Sequence, residues 1–167
     1  MANGSDGASR PAATTTGTSL TDLHTAVLRA FHAQRSWLRP AGDALGLGPG
    51  QPKLISYLAN RGPSTQRDMA AYFGIDPAAV SRMLDALERR GFVESSASPV
   101  DRRVKVASLT ELGAKTALRW DKSCHELEVR MLRGFTPAER DELMAMLERV
   151  RANLAKTDEN VERAAHE

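Results

Sequence analysis

The tightest constraint on this chain lies between residues 62 and 109, where two short helix patterns sit three residues apart and helical periodicity then stops. Thr65-Gln66-Arg67-Asp68 opens the first pattern with a hydroxyl and an acid in the first turn. Both can satisfy amides that have no partner inside a helix. Met69, Ala70 and Phe73 give this segment one apolar face, and Gly74 stops it. After the turn Gly74-Ile75-Asp76, Asp76-Pro77 opens the second helix. The Asp can cap orphan amides, and Pro at the first helical position brings a suitable φ. Val80, Met83, Leu84 and Leu87 recur at helical spacing and form the buried stripe, which leaves Ala78, Ala79, Ser81, Arg82 and Asp85 outward. Gly91 ends the helix. Val104 and Val106 then alternate with Lys105 and Ala107, the pattern of a half-buried strand. Residues 97–101, Ala-Ser-Pro-Val-Asp, read as the turn of a β-hairpin.

The flanks read as helices. Residues 1–18 are mostly Gly, Ala, Ser and Thr, without a large apolar side chain after Met1. They cannot bury enough surface to offset ordering entropy, so a disordered tail is expected. Leu20, Leu23, Val27, Phe31 and Leu38 lie on one helical stripe, capped by Ser19 or Thr21 and stopped between Gly42 and Gly50. Pro52–Arg61 makes a short helix ended by Gly62-Pro63. Ser108 or Thr110 caps a further helix with Ala117, Trp120, Cys124, Leu127 and Met131 on its seam. Thr136-Pro137-Ala138-Glu139 is a full capping box. Leu143, Leu147, Val150, Leu154 and Val161 then continue in a heptad-like stripe that wants a partner helix.

The expected architecture is mainly α with a small β-hairpin wing, a winged helix-turn-helix between N- and C-terminal dimerisation helices. The divisions expected are a tail at 1–18, a dimerisation helix at 19–48, a DNA-binding domain at 49–109 and C-terminal dimerisation helices at 110–162. Hydrophobic residues make up 41% of the 167, enough for a core, but aromatics are only 5%, so aliphatic side chains must do most of the packing. A net charge of +2 is too small to imply a polyanionic partner by itself. The placement of charge says more.

In a winged helix-turn-helix the second helix of the pair enters the major groove with its N-terminal half against base edges. Ala78 and Ala79 there are small enough for close approach, Ser81 can serve base or phosphate, and Arg82 can donate two parallel bonds to guanine or one to phosphate. The hairpin tip adds Asp101-Arg102-Arg103, with Lys105 beyond. Adjacent arginines are costly to crowd without an anion, and the minor groove offers one.

Three stretches together resemble the MarR family (multiple antibiotic resistance regulators). Residues 64–73, STQRDMAAYF, resemble its first helix-turn-helix helix. Residues 77–93, PAAVSRMLDALERRGFV, resemble its recognition helix and exit. Residues 99–113, PVDRRVKVASLTELG, resemble its wing, with the Asp-x-Arg signature as Asp101 and Arg103. The resemblance implies a cytoplasmic bacterial homodimer on palindromic double-stranded DNA. It implies contacts from Thr65, Gln66, Arg67, Pro77, Ala78, Ala79, Ser81, Arg82, Asp101, Arg102, Arg103 and Lys105. Arg103 would enter the minor groove, steadied by Asp101, while Arg102 would touch a phosphate. Most such proteins repress nearby genes and release DNA on binding a small phenolic or lipophilic effector.

For such an effector, His24, His32, Trp37, Tyr57 and Trp120 are candidate pocket residues, since a pocket needs apolar walls and a few polar groups. The alternative for each tryptophan is a plain core or dimer contact. Cys124, the only cysteine, is a candidate redox switch, although a cysteine on an apolar seam is more often an inert small hydrophobe. A winged-helix module that binds protein is the second functional class. No metal-ligand spacing, nucleophile–base pair, Gly-rich phosphate loop, signal peptide or apolar run of about 20 residues is visible. Neither a cofactor, an enzyme nor a membrane protein is expected.

Overall fold

A computed structural model describes residues 20–98 and 103–164. The expected tail at 1–18, the Ser19 cap and residues 99–102, including Asp101 and Arg102, lie outside the described residues. The order of elements is α1 (Leu20–Ala44), α2 (Gln51–Arg61), β1 (Ser64–Thr65), α3 (Gln66–Phe73), α4 (Pro77–Arg89), β2 (Val93–Ala97), β3 (Lys105–Leu109), α5 (Glu111–Met131) and α6 (Pro137–Ala164). The chain separates into two units, the first ending at Trp37 and the second beginning at Leu38.

The first unit contributes most of α1. Leu23, Val27, Leu28 and Phe31 are all exposed along it. Phe31 and His32 meet edge-on at 5.8 Å.

In the second unit, α2, α3 and α4 converge on one aliphatic core. Leu54, Ile55 and Leu58 of α2 meet Met69 and Ala70 of α3 and Val80, Leu84 and Leu87 of α4. Phe92 and Val93 close it from the sheet side, and Ala117 from α5. Each fully buried aliphatic side chain here contributes about 1.5–3 kcal/mol of transfer free energy. Met83, expected in the same stripe, is only half-buried. The turn at Gly50 comes close to it, so that a Cβ on Gly50 would lie 2.8 Å from the Met83 sulfur.

The sheet has three strands in the order β1-β3-β2, both pairings antiparallel. The sequence pattern predicts a hairpin alone. The third strand, Ser64–Thr65, is two residues long and too short to show a period. It pairs through Ser64↔Ala107 and Thr65↔Val106. Burial on β3 also falls on the other set of side chains. Ala107 is buried at 4%, Val106 is half-buried and Val104 is 38% exposed. Ala107 lies in the middle of β3, which packs against α2, α3 and α5, where a small side chain fits, whereas Val104 lies toward the hairpin tip, outside β3, and no described helix covers it. Ala97, expected in the turn, is the last residue of β2.

The base of the hairpin is fixed to α5 by one residue. Thr110 caps α5 by accepting from Gly113 N at 3.0 Å. Its hydroxyl donates to the Gly91 carbonyl at 2.6 Å, and its amide donates to the Phe92 carbonyl at 3.1 Å. Along α5, Ala117, Trp120 and Leu127 are buried as the seam requires, Cys124 is half-buried and Met131 is exposed. At the start of α6 the capping box forms, with Thr136 N and its hydroxyl donating to Glu139 Oε2 at 2.7 and 2.8 Å. The Thr136 amide, then its hydroxyl, hold the Glu139 carboxyl below its ordinary pKa.

Gly113 packs so closely beneath the sheet that an added Cβ would collide with the Phe92 carbonyl oxygen. Both sides of that contact are backbone, so neither can swing away. Gly113→Ala is expected to cost roughly 1–3 kcal/mol in urea unfolding, the range of overpacking substitutions. A midpoint equal to that of the unaltered protein would contradict it.

Candidate nucleic-acid interface

The helix pair is set by its caps. Thr65 accepts from Asp68 N at 3.1 Å while Asp68 Oδ2 accepts from Thr65 N at 3.2 Å, closing the expected box at the start of α3. Gly74 ends α3 in the left-handed region at φ 60 and ψ 44, a conformation that favours glycine. Ile75 N then returns to the Ala70 carbonyl at 3.1 Å, and the half-buried Ile75 side chain packs against the core. Asp76 Oδ1 accepts from Ala78 N at 3.0 Å and starts α4. These bonds fix a three-residue turn between α3 and α4.

One further bond crosses that turn. Gln66 Nε2 donates to the Pro77 carbonyl at 2.9 Å. It ties the first turn of α3 to the first turn of α4, so the two helix N-termini lie side by side. The partial positive charge of each N-terminus favours an anion nearby. Gln66 was singled out as a DNA contact; in the structure its amide nitrogen is engaged with the protein backbone. Nothing in the spacing of residues 66 and 77 signals that bond.

The outward residues of α4 lie as follows. Pro77, Ala78, Arg82 and Asp85 are exposed, while Ala79 and Ser81 are half-buried. On α3, Arg67 is exposed and Thr65, just before the helix, is half-buried. Arg103 and Lys105 are exposed on the hairpin. No ion pair engages Arg67, Arg82 or Lys105 among the described residues; pairs that do form include Arg39–Asp43, Lys115–Glu111 and Arg151–Glu148, each between residues three or four apart on one helix. The hairpin is joined to α4 by Glu88, whose Oε1 accepts from Ser95 N at 3.2 Å. Glu88 was not singled out from the sequence.

The five candidate pocket residues do not fall in one cavity of the second unit. His24 and His32 are exposed on α1 and Trp37 is half-buried. Tyr57 packs edge-on against Tyr72 at 5.0 Å and tilted against Phe73 at 5.8 Å. Trp120 is buried at 8%, near Gly42 and Pro52. A cleft of about 430 Å³ does open between α2 and α5, with Ser56, Ala59, Asn60, Ala114 and Asp121 on its walls. Neither Tyr57 nor Trp120 lines it. At Cys124, burial first and Asp121 second push the thiol pKa up. That lowers the thiolate fraction on which redox reactivity depends. Among the described residues no group of three His, Cys, Asp or Glu could hold a metal ion, and no helix is long and apolar enough to cross a membrane.

Comparison with known proteins bears on this arrangement. Residues 47–105, covering α2 through the start of β3, match the family model described as MarR family. The HTH-type transcriptional regulator BilQ of Clostridium symbiosum is 27% identical over 125 residues, which cover 75% of this chain and 81% of BilQ. The crystal structure of the transcriptional regulator SlyA superposes with a TM-score of 0.78 at 21% identity, over 84% of this chain and 99% of SlyA. A Listeria monocytogenes protein assigned to the MarR family, crystallised with a 26mer DNA, gives a TM-score of 0.75 at 23% identity, over 80% of this chain and 89% of that one.

The strap between α3 and α4 can be tested alone. Gln66→Ala leaves both caps in place and removes one hydrogen bond, so unfolding free energy is expected to fall by about 0.5–1.5 kcal/mol. A urea titration with unchanged midpoint and slope would show that the bond does not form in solution.

Proposed function

The chain carries a winged-helix domain of the MarR family of transcriptional regulators, and on that premise we propose that it is a homodimeric repressor that grips a palindromic operator and is released by a small lipophilic or phenolic effector. The observation that carries the reading is the exposed Arg82 on the second helix of a capped helix-turn-helix, without an acidic partner among the described residues, with the cationic hairpin joined to the same helix. Ala78 and Pro77 leave the backbone of α4 open to close approach, and Arg82 follows one turn later. Arg82 reads a base edge or holds a phosphate. Arg103 of the wing reaches toward the minor groove, and Lys105 meets the backbone. Thr65 and Arg67 lie where α3 would cross the flanking phosphates. Asp101 and Arg102 take the roles of steadying Arg103 and touching phosphate. The protein acts in the cytoplasm, where its DNA is.

The dimer reading rests on α6. Along its described side chains only Leu143 and Ala152 are even half-buried, while Met144, Met146, Leu147, Val150 and Leu154 are 44–66% exposed. An exposed apolar stripe along a helix that long needs a partner surface, and a second copy supplies one with twofold symmetry. Two lobes related in that way would meet half-sites one helical turn apart, about 34–36 Å. Release by an effector requires a cavity that differs between the bound and free states, and the cleft between α2 and α5 has a suitable size. The raised thiol pKa of Cys124 favours this route over a redox one.

Selection from a randomised duplex pool tests the reading. The protein is expected to enrich a palindromic site, and Arg103→Ala is expected to weaken binding to it and to lower the salt slope by about one per contact removed. Failure to enrich any duplex, with the dimer intact, would favour a module that binds protein. Leu147→Glu places a charge in the apolar stripe of α6 and is expected to shift sedimentation from dimer to monomer at micromolar concentration. An unaltered dimer would remove α6 from the interface.

A further inference from the structure

Glu88 is an acidic group in the lobe assigned to DNA, and contact with DNA gives no reason for it. It lies in the last turn of α4 and is exposed. A carboxylate there is electrostatically adverse to a polyanion. What it does instead follows from the register of the hairpin. Ser98 N donates to the Val104 carbonyl and Thr110 N to the Phe92 carbonyl. In an antiparallel ladder hydrogen-bonded and non-bonded pairs alternate. The bonded pairs of β2 are therefore Glu94 with Ser108 and Ser96 with Val106, and Ser95, opposite Ala107, belongs to a non-bonded pair. The amide of Ser95 accordingly points away from β3. Because β2 is an edge of the sheet, no strand among the described residues stands on that side to accept it. Glu88 Oε1 accepts it at 3.2 Å.

Resting on the DNA-binding reading above, we infer that Glu88 is a positioning residue, a latch from α4 to the open edge of β2 that fixes the wing relative to the recognition helix. An ionised acceptor makes the stronger kind of hydrogen bond. The bond spans two elements that must meet adjacent grooves at one separation. With it broken, the hairpin remains tied at its base through Thr110 and along β3 by β1, but the open edge of β2 loses this tie to α4 and the part of the hairpin beyond Ser95 gains freedom to swing. The cations of the wing then sample positions in which they and Arg82 cannot engage the same duplex together. The latch acts on specific binding, where both contacts must be made in register, and not on loose attraction to phosphate.

The test uses the full chain, the duplex that the unaltered protein selects, and an unrelated duplex of equal length. Glu88→Ala removes the charge and the bond; Glu88→Gln removes the charge and keeps an acceptor. Glu88→Ala is expected to weaken binding to the selected duplex roughly tenfold, the scale of one charge-assisted bond, and to leave the unrelated duplex unchanged or bound more tightly. Glu88→Gln is expected to bind the selected duplex at least as tightly as the unaltered protein. Amide exchange at Ser95 is expected to speed up in Glu88→Ala and not in Glu88→Gln. Binding by both variants as tight as or tighter than that of the unaltered protein would overturn the latch, because the bond would then contribute nothing; so would equal weakening by both. If the unaltered protein selects no duplex, the DNA-binding reading falls, while Ser95 exchange still decides whether the latch exists.

Discussion

The burial of one face of α4 is the interaction on which the rest of this lobe depends. Val80, Leu84 and Leu87 lock that helix into a core built with α2 and α3. With those three anchored, the rotation of α4 about its axis is fixed, and Ala78, Arg82 and Asp85 have no choice but to face outward. The recognition surface proposed above, made of short side chains and one arginine, would be useless on a helix free to roll. Packing supplies the precision and the exposed residues supply the chemistry.

Much of this was written into local pattern. The caps at Thr65, Asp76, Thr110 and Thr136 fall where hydroxyls and acids precede apolar periodicity, and each forms the bond its position suggests. The family match over residues 47–105 agrees with the resemblance in the helix pair and the first part of the wing. What eluded the sequence was non-local or very short. The strand at Ser64–Thr65 owes its existence to β3, more than forty residues away in the chain, and not to its own composition. The choice of Ala107 over Val106 as the buried residue is made by what lies above the sheet; alternation alone supplies two faces without saying which is covered.

The site shows the same division. Exposure of Arg82, Arg103 and Lys105 could be anticipated from helical phase and from the hairpin. The engagements of Gln66 with Pro77 and of Glu88 with Ser95 could not, because polar side chains on a surface have many partners within reach and only the folded backbone selects one. The candidate effector residues are scattered for a related reason. Aromatic and imidazole side chains mark where a pocket can be lined, but enclosure depends on how the helices pack, and here a cleft opens along the α2–α5 seam between small residues and Leu58, Leu109 and Leu118.

Thr110 has a mechanical consequence. Its side chain and amide bind the end of α4, the strand entering the hairpin and the first turn of α5 at a single point. Gly113, pressed against the same peptide, leaves no slack there. A joint of this kind transmits displacement instead of absorbing it. A shift of α5 along or about its axis therefore bears directly on the root of the hairpin, at the Gly91 and Phe92 carbonyls.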